Sequence, residues 1–165
     1  MTPTQQHNQN LRTFYDLAKR TRAGVLAWLE SLPSEVLTLE HNDFAYGSLS
    51  AIYAHIADCY LTWIGTRGLG RQKIELSARD IQGLREAFTL VDVTAAAALD
   101  SFTAPDEPFE WMSPTGGTHT LTQRWLFLHT ITHEFHHKGQ ALALARVLGY
   151  PHPGKPDTDL VDPLL

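Results

Sequence analysis

The sequence predicts an all-α protein, a four-helix bundle with a short loop or hairpin before the last helix. Three observations indicate this fold class. Four long segments repeat their apolar residues with the period of an amphipathic helix. The only candidate strands, "FEWM" and "THTL", are too short to build a sheet core. The chain has 165 residues, which predicts a single helical-bundle domain spanning 1–165.

The first helix is predicted from about Thr4 to Leu32. Pro33 ends it, because proline has no backbone N–H to donate and its ring clashes with the preceding turn. The residues from Pro33 to Gly47 form a connection. The apolar residues that share one face of this helix are Leu11, Phe14, Ala18, Val25, Leu29 and Leu32.

The second helix lies in "GSLSAIYAHIADCYLTWIG". Ser48 can cap its N-terminus, and the glycines from Gly65 to Gly70 end it. Its apolar face consists of Leu49, Ile52, Ile56, Cys59 and Trp63.

The third helix is predicted to begin near Ser77, because Ser77-x-x-Asp80 resembles a capping box. Its apolar face consists of Leu84, Phe88, Val91, Ala95, Ala98 and Phe102.

The proline and glycine residues of "APDEPFEWMSPTGGTHTLT" predict a loop or short hairpin before the fourth helix. Thr120 and Gln123 fit a capping box at the start of that helix. The helix is predicted to continue to about Leu148, and Gly149 and Pro151 end it.

Composition excludes several classes of function. The net charge is −5, so the chain has no basic surface for nucleic acid. No apolar stretch reaches the roughly 20 residues of a membrane span, and the polar N-terminus is not a secretory signal. Cys59 is the only cysteine, which excludes an intrachain disulfide and fits a cytoplasmic location. Neither nucleic acid nor a membrane is therefore an expected partner, and the expectation of a small-molecule substrate comes instead from a family resemblance.

Histidine is the unusual residue, with nine in the chain and five of them between His119 and His137. On a helix, His129, His133 and His137 lie one above the other, on the same face as Leu126, Gln140 and Leu144. This face points to the core, where a neutral imidazole can bind a metal but a charged one is costly.

A metal site needs a third ligand, and His55 is the best candidate because it lies within the apolar face of the second helix. The sequence therefore predicts a metal held by His55, His133 and His137. His129 can replace His137 as a ligand or hydrogen-bond a neighbouring ring. Its position one turn before His133 on the same face does not decide between these roles.

Two other metal sites are alternatives. His133-Glu134-x-x-His137 matches the zinc-peptidase pattern, in which the glutamate activates water. The chain after His137 offers only His152 as a further ligand, inside a proline-rich tail. A di-iron bundle needs two E-x-x-H motifs and two more glutamates, and only one such motif is present.

Three segments together resemble the DinB/YfiT-like superfamily. "HTITHEFHHKGQALALARVLG" is similar to its last helix, where a run like "NHExHHRGQ" is typical. "GSLSAIYAHIADCYLTWI" is similar to its second helix, and "PHPGKPDTDL" to its C-terminal tail. The order and spacing of the segments agree over nearly the whole chain. Thr132 and Lys138 stand where Asn and Arg are frequent in relatives.

The resemblance implies a bundle with a long crossover, often a homodimer, and a divalent metal held by His55, His133 and His137. It also implies a metal-dependent enzyme that works with a low-molecular-weight thiol such as bacillithiol, mycothiol or glutathione, as a transferase or a hydrolase. A non-catalytic metal-binding stress protein is the alternative, and adventitious metal binding is a third. Zinc, nickel and iron all accept three imidazoles.

Three polar residues near the predicted ligands are candidates to support them. Asp58 can orient the His55 ring or be solvated. Gln140, one turn beyond His137, can line the pocket or pair with a buried polar group. Glu134 is offset from the ligand face, so it can support or replace a ligand, or it can lie on the surface.

Overall fold

The computed structural model describes residues 2–154, and this part contains four long helices and one β-hairpin. The helices are α1 (Pro3–Glu30), α2 (Leu49–Tyr60), α3 (Ile81–Ser101) and α4 (Gln123–Val147), and the strands are β1 (Phe109–Met112) and β2 (Thr118–Leu121). The all-α prediction is confirmed. The end of the predicted domain and of its proline-rich tail, residues 155–165, lies outside the described residues.

The bundle places α1 opposite α2 and α3 opposite α4. α1 packs on α3 and α4, and α2 packs on the same two helices. The chain between α1 and α2 must therefore cross an end of the bundle, and it contains a 3₁₀ helix, Ser34–Thr38. This arrangement places α2 directly against α4, the two helices that carry the predicted ligands.

A continuous apolar core holds the four helices together. Ile52 and Ile56 of α2, Leu84 of α3, and Leu126 and Leu144 of α4 have no exposed surface. Burying one such side chain contributes about 1.5–3 kcal/mol. The predicted apolar faces of the second, third and fourth helices therefore point inward as expected.

The second helix does not end as a regular α-helix. Ser48 caps it as predicted, with its hydroxyl accepting the Ala51 N–H at 3.3 Å. The chain then continues in wider, π-helical turns, Leu61–Gly68, and Gly70 takes a left-handed conformation with φ of 66°. Such turns are rare, change the direction of side chains, and often lie at functional sites.

Two predicted helix starts are wrong. Asp80, not Ser77, caps α3, because its carboxylate accepts the Gly83 N–H at 2.8 Å and the helix begins at Ile81. Thr122, not Thr120, caps α4 by accepting the Trp125 N–H at 3.1 Å. Thr120 belongs to β2 instead.

The predicted capping box of α4 fails for a tertiary reason. Its second member, Gln123, accepts the Ala104 N–H at 3.1 Å and so fastens the preceding loop to the helix. Thr120 is paired with Glu110 in the hairpin. Both side-chain positions are therefore set by contacts with residues that are distant in sequence.

The hairpin prediction is confirmed, with β1 antiparallel to β2 and Trp111 opposite His119. Gly116 and Gly117 form its turn with φ of 95° and 92°, a left-handed conformation that favours glycine. Within residues 2–154, none of the helices combines the length and the apolar character that crossing a lipid bilayer requires.

Candidate metal centre

Three histidines from two helices converge on one point. His55 projects from α2, and His133 and His137 project from α4. One ligating nitrogen from each ring lies within 4.8 Å of the others. The Nε2 atom of His133 is 3.3 Å from that of His55 and 3.2 Å from that of His137. We call these three residues the histidine triad.

The donor set of the triad fits a divalent metal. Three imidazole nitrogens that face one another are a ligand set that zinc, nickel and iron accept. The buried Nδ1 atom of His133 has no hydrogen-bond partner in the described part of the chain. All of the polar contacts of that ring therefore lie on the triad side, at Nε2.

Burial keeps the triad neutral. Burial first, and then the neighbouring His137, His55, His129 and His136 rings, together lower the pKa of His133 to about 4. Burial is also the main cause that lowers the pKa values of His55 and His137. Neutral imidazole is the form that binds a metal, so protons do not compete for these nitrogens near pH 7.

Gln140 fixes the orientation of one ring of the triad. Its Oε1 atom lies 2.7 Å from Nδ1 of His137, and its Nε2 atom lies 3.2 Å from Nε2 of His136. An amide oxygen only accepts, so Nδ1 of His137 donates and its Nε2 lone pair faces the triad. This is the tautomer that metal binding requires.

We therefore expect Gln140→Ala to weaken divalent-metal binding by about 10–100-fold, because the His137 ring loses the partner that orients it. Competition with a chelating dye measures this. Gln82→Ala is the matched control, since Gln82 bonds only Glu86 on an exposed face of α3. Equal metal affinity of Gln140→Ala and the unchanged protein would contradict the role of Gln140.

Tyr46 is a further residue of the site, and the sequence analysis did not predict it. Its ring stacks on His55 with centroids 4.0 Å apart, and its hydroxyl lies 2.9 Å from Nε2 of His55. The backbone of Tyr46 has a φ of 67°, a conformation that bulky residues adopt at an energetic cost and mainly at functional sites. Its position in an irregular connection leaves no periodic signal.

Tyr46 also connects the triad to the surface. The residue is 49% exposed, and it lines a pocket of about 430 Å³ together with Ser48 and Ser50. Tyr46 is therefore shared between the triad, which its hydroxyl contacts, and this pocket.

Glu134 is buried, so the alternative that places it on the surface is wrong. It is 4% exposed, and its carboxylate accepts hydrogen bonds from Arg22 at 2.8 Å and from Tyr60 at 2.7 Å. Arg22 also donates to Asp92, at 3.0 Å. These buried charges link all four helices.

The position of Glu134 also argues against the peptidase alternative. In that mechanism the glutamate must be free to activate a water at the metal. Here both carboxylate oxygens are bonded to Arg22, and one of them also to Tyr60. The residue is therefore part of the structural core.

The remaining site candidates lie near the triad but outside it. Among residues 2–154, no hydrogen bond joins Asp58 to His55, although the Asp58 charge partly opposes the lowering of the His55 pKa. The His129 ring stacks on Trp125 at 4.6 Å and lies 5.7 Å from the His133 ring. A supporting role for either residue stays a prediction.

Comparison with known proteins identifies the family. The family model described as "DinB family" matches residues 5–161, which is nearly the whole chain. A search of curated proteins gives no match. The family match and the helical fold agree with the resemblance found in the "HEFHHKGQ" run. The chain therefore belongs to the DinB family.

Proposed function

We propose that this protein is a divalent-metal enzyme that acts on a small molecule together with a low-molecular-weight thiol. The observation that carries the proposal is the convergence of three neutral imidazoles from α2 and α4. Three protein ligands leave a position open, which is the arrangement of catalytic rather than structural metal sites. Zinc and nickel suit these ligands best, and iron is acceptable.

The metal would supply Lewis acidity, which stabilises a bound thiolate or polarises a carbonyl. His55, His133 and His137 would hold it, and Gln140 would keep His137 in the binding tautomer. The Tyr46 hydroxyl, beside Nε2 of His55, can donate a hydrogen bond to a ligand in the open position.

The thiol must come from outside the chain. Cys59 is buried, and burial raises the pKa of its thiol to about 12. The thiolate is the reactive form, so Cys59 cannot be the nucleophile near pH 7. An external thiol is consistent with the family resemblance, which also supports a homodimer in the cytoplasm. Sedimentation equilibrium tests the dimer.

Metal analysis of protein purified without a histidine tag tests the proposal. We expect about one divalent ion per chain by the ligand count of such sites, and its loss in His55→Ala. His119→Ala is the control, because His119 is exposed on β2. Metal retained in His55→Ala, or none in the unchanged protein, would refute the triad as a metal site.

Thiol binding separates the enzyme from the non-catalytic alternative. With cobalt in place of the native metal, an open position binds an added thiol and changes the visible spectrum. A closed, structural metal would show no change, and its removal would strongly lower the stability of the fold. That second pattern would favour a metal-binding stress protein instead.

A further inference from the structure

The π-helical end of α2 carries an arginine that is held between two tryptophans. The guanidinium carbon of Arg67 lies 3.5 Å from the centre of the Trp63 ring and 4.4 Å from that of Trp111 in β1. Cation–π contacts of this kind fix the plane of the guanidinium. The hairpin therefore closes over the end of α2 through this side chain.

Arg67 has no acidic partner in the part of the chain that the structure describes. Arg12, Arg22, Arg85 and Arg124 each form an ion pair with a carboxylate there. No such pair is formed by Arg67 within residues 2–154, and its Nε atom is buried without an acceptor. A buried donor without a partner is uncommon in folded proteins and calls for an explanation.

A row of rings connects Arg67 to the histidine triad. The Trp63 ring lies 4.6 Å from the His129 ring, which stacks on Trp125 at an interplanar angle of 9°. The His129 ring is in turn 5.7 Å from that of His133. A row of neighbouring rings thus lies between the Arg67 cation and the histidine triad.

We infer that Arg67, held between Trp63 and Trp111, binds the carboxylate of the small molecule on which the triad acts. A planar guanidinium matches the two oxygens of a carboxylate, and the aromatic rings strengthen that pairing by excluding water. The rings of Trp63 and His129 would contact the carbon skeleton between the carboxylate and the reacting group. The inference rests on the proposed function for the role of the triad.

The carboxylate can belong to the electrophilic substrate or to the thiol. Both sources present the same group to Arg67, so the recognition chemistry is shared. Arg67 would recognise the charge of the bound group and not its size. A neutral amide of the same shape is therefore the appropriate comparison.

Calorimetric titration of metal-free and zinc-loaded protein tests the inference. The probes are 3-phenylpropionate against its amide, and 3-mercaptopropionate against its amide. We expect each acid to bind about tenfold or more tightly than its neutral counterpart. Arg67→Gln should remove that preference. A preference for 3-mercaptopropionate over its amide that increases on zinc loading would assign the carboxylate to the thiol, and a preference confined to 3-phenylpropionate would assign it to the electrophile.

Two variants serve as controls. Arg146→Gln, which removes an exposed arginine in the last turn of α4, should bind as the unchanged protein does. Arg67→Lys keeps the charge but loses the planar fork, so an intermediate affinity is expected, and this variant replaces Arg67→Gln if the latter unfolds.

Acid and amide binding equally well, or an unchanged preference in the Arg67 variants, would overturn the inference. The metal-free titrations report on Arg67 even if the triad binds no metal. Failure of the carboxylate site and failure of the proposed function are therefore separate results.

Discussion

Glu134→Ala is expected to lower the free energy of unfolding by about 3–5 kcal/mol, because it leaves the Arg22 charge buried without its main partner. Arg22 is 3% exposed and donates to both oxygens of the Glu134 carboxylate. Asp92 remains as a second acceptor, but it is a single contact of 3.0 Å. Urea unfolding of the metal-free protein measures the change.

An exposed ion pair supplies the matched control. Arg85 and Glu30 are joined at 2.6 Å, but both side chains are largely in water. Glu30→Ala should therefore cost less than about 1 kcal/mol. The double variant Arg22→Met with Glu134→Leu removes both charges and should recover most of the loss. A Glu134→Ala change as small as that of Glu30→Ala would refute the assignment of Glu134 to the structural core.

Metal content tests the role of Glu134 in a second way, with a different substitution. Glu134→Gln keeps the shape of the side chain, and we expect it to hold as much metal as the unchanged protein. Glu134 would then be a residue that joins α4 to α1 and α2 while its histidine neighbours face the metal.

Apolar periodicity predicted the helices well, because each helix buries one face against the others. The capping-box patterns gave the wrong first residue for α3 and α4, because capping depends on which side chain is free to accept. Asp80 is free to cap α3. Thr120 is already paired in the hairpin, so the cap of α4 falls to Thr122.

The triad was predictable because helical spacing alone brings His133 and His137 together, and the apolar face of α2 places His55 inward. The burial of Glu134 was predictable in part, because Phe127, Thr130 and Ile131 precede it on the same buried face. The charge of Glu134 argued against this prediction. Its partner Arg22 is 112 residues away along the chain. No local pattern identifies such a partner.

Tyr46 and Arg67 were missed for a different reason. Both lie where the chain departs from regular helix, in a left-handed turn and in π-helical turns. Sequence periods of 3.6 or 2 residues carry no information about side-chain direction in such segments. Their contacts with His55 and Trp63 depend on the assembled bundle.

Metal binding by the triad is expected to change little between pH 7 and pH 6. Three histidines with the ordinary pKa of 6.5 would lose about 30-fold in affinity over this interval, because each must release its proton before it can bind. Burial and the neighbouring histidine rings lower the pKa of His133 to about 4, and burial lowers those of His55 and His137 in the same direction. His133 is therefore already neutral at pH 6, and His55 and His137 hold fewer protons there than solvated histidines would.

The metal should leave as the pH falls further, toward the pKa of His133 near 4. In the same interval the metal-free protein should lose stability. Its unfolded chain binds protons at histidines of ordinary pKa, about 6.5, that the folded triad does not bind, so the free energy of unfolding decreases as pH falls from 6.5 toward 4. His133→Gln should show a smaller decrease.

Dye competition at pH 7, 6 and 5, corrected for protonation of the dye, measures the affinity, and urea unfolding of metal-free protein measures the stability. A loss of affinity close to 30-fold between pH 7 and pH 6 would mean that the three rings titrate as solvated histidines. The burial that the structure gives them would then not govern metal binding. A much smaller loss, followed by release of the metal below pH 6, would show that burial of the triad between α2 and α4 keeps its nitrogens unprotonated and able to bind a metal.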